Sequence, residues 1–437
     1  MAKPKLALIP AAQGDKFYSV LPSDGVGDFT FSRASTGTRI APTGLIEEVP
    51  SGDSRLDYDL LNGKVVNCPH YLLEPASTNL FTYSQDFSNS YWSKLGATIG
   101  ADAITSPNGS LDADKFTEDS TNGLHAIFQN AGVTIPTGNN TLSVFVKSNG
   151  RNFFQIRTGS AGGVDNSPLY ANFDLINNTE TASSTGVINS KVEIYPNNWK
   201  KISITFNLSS STVVALVFQS ILSGTSVISE TYQGDGTSGF YLFGATLENL
   251  SYPTSYIPTN GTAITRAAET ATGSGDAATF NDSEGVLMAE ISALADDGTY
   301  RLNTLSDNTS NNFIVIGYSL NSNKMFLDGV IGGVRFITLE ATVNQEEFNK
   351  VCLKYKSGDA SIYLNGFKIL SSTTTFAHSG SPISELEFDY WNNTLPFYGK
   401  TRELQYFDSV LTDAQLETLT SWTSLQEMIT SQLYTNY

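Results

Sequence analysis

The chain has 437 residues, enough for two or three domains with hydrophobic cores of their own. Its 43 acidic residues against 25 basic ones leave a formal charge of −18, a field that repels phosphate backbones and anionic membranes and argues against nucleic acid as a partner. Charged residues make up only 16% while aromatics reach 11% and glycines number 36, a balance that fits an all-β protein with polar loops.

Taken in order, residues 1–80 carry many turn formers and no long periodic segment. Residues 29–31 and 45–49 read as short strands among turns at Asp24-Gly25, Ser51-Gly52 and Asn62-Gly63. Such a segment seldom buries a core alone and is expected to lie against something else. The run at residues 6–10 is too short for a signal-peptide core, and no stretch has the length of a membrane span, so membrane insertion is not expected.

Strand signals at sandwich-like spacing follow through residues 81–265. Leu142, Val144 and Val146 alternate with polar neighbours, as do Ile202, Ile204 and Phe206. Residues 213–218 are nearly all apolar and read as one central strand, and residues 240–247 close the sheet. Pro253 and Pro258 then take the chain out along an extended path. A small-residue segment, 266–275, reads as a linker.

Residues 276–437 repeat the pattern in kind without repeating the sequence. Val351, Leu353 and Tyr355 share one face of a strand, Asn365-Gly366 marks a two-residue hairpin, and Asp328-Gly329 suggests another. Near the end, Thr412 and Gln415 form a capping-box pattern. Leu416, Leu419, Trp422, Leu425, Met428, Ile429 and Leu433 then continue an apolar helical stripe, long enough to pack on its own sandwich or on a neighbouring subunit. The fold class expected is therefore all-β: two antiparallel β-sandwich domains of jelly-roll or lectin-like type, preceded by a largely irregular N-terminal arm and ended by a short helix.

Several motifs carry a resemblance. Phe31-Ser32-Arg33-Ala34-Ser35-Thr36, Ser54-Arg55-Leu56-Asp57-Tyr58 and Leu72-Leu73-Glu74-Pro75-Ala76-Ser77-Thr78-Asn79-Leu80 are similar to the opening of bacteriophage virion appendage or fibre-type structural proteins. Phe243-Gly244-Ala245-Thr246-Leu247-Glu248, Thr254-Ser255-Tyr256-Ile257-Pro258-Thr259 and Thr265-Arg266-Ala267-Ala268 resemble the end of their carbohydrate-binding-module-like jelly roll. Lys354 through Ile369, with Leu411-Thr412-Asp413-Ala414-Gln415-Leu416, resembles a concanavalin A/laminin-G-like module. The resemblance implies a protein made in the bacterial host cytoplasm and built into a virion. Residues 1–80 would dock on other capsid or tail proteins or on sister subunits, or simply wrap a neighbouring domain. The assembly would be a homo-oligomer, a trimer, adhering to cell-surface glycans.

Chemistry leaves few traces. His70, His125 and His378 have no ligand spacing, and no nucleophile elbow or phosphate loop is present. Cys68 and Cys352 lack any CxxC pattern and read as small buried hydrophobes. Glu290, Asp296, Asp297, Glu385, Glu387 and Asp389 are the carboxylates a glycosidase would draw on, yet the ExDxxE signature of glucanases on the lectin-like fold is absent, and the expectation is a non-enzyme. For sugar binding the candidates are Tyr390, Trp391, Asn392, Asn393, Tyr91 and Trp92, with Tyr232 beside them, since aromatic rings cover pyranose faces while amides bond hydroxyls. Trp199 and Trp92 read more readily as core than as sugar platforms. No cofactor is expected. Calcium remains open, with Asp296 or Asp328 as conceivable ligands and no EF-hand loop.

Overall fold

The computed structural model describes residues 3–129, 132–159 and 168–422. Among the described residues the architecture is all-β, in antiparallel sheets, with one short α-helix. Residues 92–248 form a jelly roll of two six-stranded sheets. Gly138–Asn149 lies between Gly239–Glu248 and Lys200–Leu208 in one sheet, and Phe153–Thr158 lies beside Leu216–Ile221 in the other. Alternation turns Leu142, Val144, Val146, Ile202 and Ile204 inward, where they meet Phe154, Ile156 and Phe218 from the opposite sheet. The apolar run at 213–218 is not one strand. It is split at Ala215 into Thr212–Val214, which pairs with Val133–Ile135, and the central Leu216–Ile221.

The second sandwich is built from both ends of the chain. Its eleven-stranded sheet runs from Thr270–Thr272 through Phe29–Ser32, Lys16–Leu21 and Leu6–Gln13 to Gly399–Phe407, then Glu284–Ala293, Asn349–Lys356, Ala360–Leu364 and Phe367–Ser372. The hairpin Leu56–Leu61/Lys64–Leu73 joins it at Gly399, Lys400 and Thr401. Leu6, Phe17, Phe29, Phe31 and Tyr71 share one buried cluster with Leu287, Leu353 and Tyr406. Strands of the first 80 residues are thus members of a sandwich completed only some 200 residues later, rather than an arm lying against it, and the jelly roll is inserted between the two halves. Residues 270–272, expected in a linker, are a strand paired with Phe31 and its neighbours.

A five-stranded sheet of Arg301–Ser306, Phe313–Tyr318, Lys324–Ile331, Val334–Thr342 and Glu385–Glu387 closes the sandwich. Asp328-Gly329 is not a hairpin turn but lies mid-strand in Lys324–Ile331. Asp328 is held by Arg335, and the bare Gly329 backbone receives the Phe336 ring, where a Cβ would stand 2.3 Å from Cζ. The turn falls instead at Gly332-Gly333, both at positive φ. Asn365-Gly366 is a hairpin turn as read, with φ of 49° and 90°.

The helix spans Asp413–Thr420, and Thr412 and Gln415 form the expected reciprocal cap. Leu416 is buried against Val286, Met288 and Phe407. Leu425, Met428, Ile429 and Leu433 lie outside the described residues. Cys352 is buried as expected, whereas Cys68 is exposed on the Lys64–Leu73 strand. Among the described residues no helix is long and apolar enough to cross a membrane.

The motifs singled out in the sequence converge where the sandwiches meet. Arg33 pairs with Glu269 at 2.7 Å, Arg55 with Glu74 at 2.8 Å and also with Glu269, and Arg266 with Glu74 at 2.7 Å. Ser255 donates its backbone N–H and its hydroxyl to Glu74 at 2.8 and 2.6 Å, and Arg266 donates to the Pro75 carbonyl at 2.6 Å. All these charged groups are buried. Buried ions are tolerated only where each is paired and hydrogen-bonded, and this knot meets that condition with residues from three distant segments.

Candidate functional site

Two places bring chemically useful side chains together. The first is the outer face of the five-stranded sheet. Thr304 faces Glu387 and Ser306 faces Glu385, so both glutamates share a face, and Asp389 follows at the strand end. Glu387 and Asp389 are buried. Burial, then the charges of Asp389 and Glu385, push the Glu387 carboxyl well above its ordinary range. Burial and Glu385 raise Asp389 likewise. Glu387 Oε2 and Asp389 Oδ1 have no hydrogen-bond donor, because two carboxylates cannot bond each other until one holds a proton.

Directly after this pair the chain makes a tight turn: the Tyr390 N–H donates to the Thr394 carbonyl at 2.7 Å, and the Asn393 N–H to the Tyr390 carbonyl at 2.8 Å, with Asn393 at φ 58°. Tyr390 and Trp391 are half-buried on a small apolar patch, the Tyr390 ring 5.7 Å from Phe313 and 5.4 Å from Trp391. Asn392 and Asn393 are exposed.

The other aromatic candidates are differently placed. Trp92 is 1% exposed, its ring enclosed by Phe81, Phe87 and Phe218 and its N–H donated to the Tyr83 carbonyl, so it offers no face to a ligand. Tyr91 is half-buried, edge-on to Trp92. Tyr232 is buried with its hydroxyl on Glu118 and Ser220. Trp199 is core, donating to Thr105. Trp92 joins the core between the two jelly-roll sheets, whereas Trp199 packs with Phe145, Phe243 and Tyr256 on the other face of one sheet.

The remaining carboxylates are committed to partners. Glu290 sits with Arg402 and Lys350, Asp297 with Arg301, and Asp328 with Arg335. Asp296 accepts from Ser322 and from the Asn323 N–H. His125 bonds the Gly96 and Tyr232 carbonyls, and the buried His70 lies 3.3 Å from Asp57 and 3.6 Å from Asp59. Among the described residues no group of three acidic, His or Cys side chains is placed to hold a metal ion.

The second place was not visible in the sequence. A cleft of about 490 Å³ opens between the jelly roll, the N-terminal hairpin and the second sandwich. Tyr58 comes from Leu56–Leu61, Glu193 and Tyr195 from the edge strand of the jelly roll and the residue after it, and Glu346 and Lys400 from the second sandwich. The Asn62-Gly63 turn bridges the top, so close that a Cβ on Gly63 would meet the Tyr195 carbonyl oxygen at 2.7 Å. Lys400 holds Asp59 at 2.7 Å, and Lys201 donates to the Thr254 carbonyl at 2.8 Å. Burial alone would raise the Glu193 carboxyl, but Lys191, Lys201 and Lys400 outweigh it and keep it ionised. Burial, with Glu193 and Asp57 nearby, keeps the Tyr195 phenol protonated. Each wall comes from a different part of the chain, so no local pattern could have announced it.

No family model and no curated protein matches the sequence. Among solved structures, the chain is similar to the CBM40 of Ruminococcus gnavus IT-sialidase bound to alpha2,3 sialyllactose, at 16% identity over 34% of this chain and 93% of that one, with a TM-score of 0.29. A leech intramolecular trans-sialidase aligns at 16% identity over 33% of this chain and 24% of that one, TM-score 0.28. A SAP-like pentraxin from Limulus polyphemus aligns at 14% identity over 33% of this chain and 72% of that one, TM-score 0.27. Likenesses this distant carry no weight for function.

Proposed function

We propose that the chain is a bacteriophage virion structural protein, a head or tail fibre or decoration subunit, that holds the particle to host or environmental surface glycans. The observation that carries the glycan contact is the turn at residues 390–393, where two exposed amides stand beside two half-buried rings. Amides bond sugar hydroxyls and rings cover the apolar face of a pyranose. The buried ionic knot supports the virion reading, because the motifs that carry the resemblance are one another's partners and form a single structural unit. On this reading the protein is not an enzyme. A glycosidase needs two carboxyl groups set across a bound sugar, and Glu387 and Asp389 instead lie buried two residues apart at one strand end.

The subunit works as a homo-oligomer, a trimer, beside other capsid or tail proteins, without cofactor, and many weak sugar contacts add up through avidity. A purely structural role, with the sandwiches as spacers, is the second reading, favoured by the packing of Tyr390 on Phe313. Glycan-array binding by the full chain, lost in the double variant Tyr390→Ala/Trp391→Ala, is the expected result. Unchanged binding would move the contact elsewhere, and no binding at all would leave the spacer role. Immunogold labelling of virions is expected to find the chain on the particle surface; an unlabelled particle would overturn the virion reading.

A further inference from the structure

We infer that the cleft between the jelly roll, the N-terminal hairpin and the second sandwich is a binding site for a neutral mono- or disaccharide. It is distinct from the turn at residues 390–393 and stands whether or not that turn binds sugar. Its volume of about 490 Å³ lies within the range of ligand pockets, roughly 300–1,000 Å³.

The lining selects the ligand class. Tyr58 and Tyr195 are half-buried, so their rings keep surface facing the cleft, and neither hydroxyl has a hydrogen-bond partner among the described residues. The Tyr195 ring is backed edge-on by Phe145 at 5.0 Å, which fixes it as a platform. Glu193 retains 35% of its side-chain surface although Lys191, Lys201 and Lys400 surround it, which leaves carboxylate lone pairs for vicinal hydroxyls.

Charge decides against an acidic sugar. Among the described residues six carboxylates and four cations line the cleft. The cations are already engaged: Lys400 with Asp59, Lys191 with Glu193, Arg39 with Glu47, and Lys201 with the Thr254 carbonyl. An incoming carboxylate would add to six carboxylates that outnumber the lining cations, three of which are already paired with carboxylates. A neutral polyol can donate to the carboxylates and lay its apolar face on tyrosine.

Calorimetric titration of the full chain with lactose, maltose and cellobiose, and with glucuronic acid as the acidic control, tests the inference. At least one neutral disaccharide is expected to bind at one site per chain, at least tenfold more tightly than glucuronic acid. Tyr195→Ala is expected to weaken that binding at least tenfold and Tyr195→Phe, which keeps the ring, much less. Tyr390→Ala/Trp391→Ala is expected to leave it unchanged, which separates this site from the adhesive turn. Thermal melts confirm that each variant is folded. No heat from any neutral sugar at millimolar concentration, preference for glucuronic acid, or binding indifferent to Tyr195→Ala would each overturn it.

Discussion

Glu387 and Asp389 show what a single proton does in this fold. Both are buried on one face of the five-stranded sheet, and as two carboxylates they would repel each other without a donor between them. The folded state raises the Glu387 pKa above that of the unfolded chain, about 4.3 for a free glutamate, so it binds more protons than the unfolded state above that pH. Stability from this group is therefore greatest at low pH and falls as pH rises through the folded pKa. Glu387→Gln mimics the protonated form. It is expected to leave the melting temperature nearly unchanged near pH 4 and to raise stability by on the order of 1–2 kcal/mol above neutral pH, read by thermal melts across pH. A gain confined to acid pH would contradict the shared-proton account. The ExE spacing made the shared face legible in the sequence; the burial that shifts the proton was not.

At the scale of elements, the hairpin Leu6–Gln13/Lys16–Leu21 has the wrong address for a local reading. Its turn-rich surroundings and short strands suggested a segment without a core of its own. Phe17 is fully buried, 4.2 Å from Tyr71 and edge-on to Phe388 at 6.1 Å, so it fills the second sandwich. Phe17→Ala removes that volume from a packed interior and is expected to cost about 3–5 kcal/mol, measured by urea denaturation. The unfolding it brings forward should include the second sandwich, with Trp391 fluorescence reporting it. The Asp413–Thr420 helix is the opposite case: its cap, its first turn and its buried Leu416 were all legible, because capping and helical periodicity are local.

The whole molecule is held at the ionic knot, where the chain crosses out of and back into the second sandwich. Glu269 receives Arg33 and Arg55 together in a place closed to water. Glu269→Gln leaves two guanidinium groups short of a buried countercharge and is expected to cost about 3–5 kcal/mol. The surface pair Lys356–Glu284 is the control: Glu284→Gln should cost far less, since surface ion pairs contribute little. Calorimetry is expected to show the two sandwiches melting together in the wild type and separating in Glu269→Gln. A single shared transition in the variant would mean that the knot does not couple them.

By itself the sequence determined whatever depends on neighbours along the chain. Strand alternation set the all-β class and core positions such as Leu142, Val144, Ile202, Ile204, Val351 and Leu353, Asn365-Gly366 set a hairpin, and Thr412 with Gln415 set the helix start. Tertiary structure alone decided what depends on partners far away. It seated Leu6 and Phe17 beside Leu287 and Tyr406, and it turned the motif residues Arg33, Arg55, Glu74 and Arg266 into one buried knot. It also sealed Trp92 in a core and opened a cleft between Tyr58 and Tyr195. The reason is physical: backbone periodicity is written residue by residue, whereas burial and charge pairing exist only once distant segments close on each other.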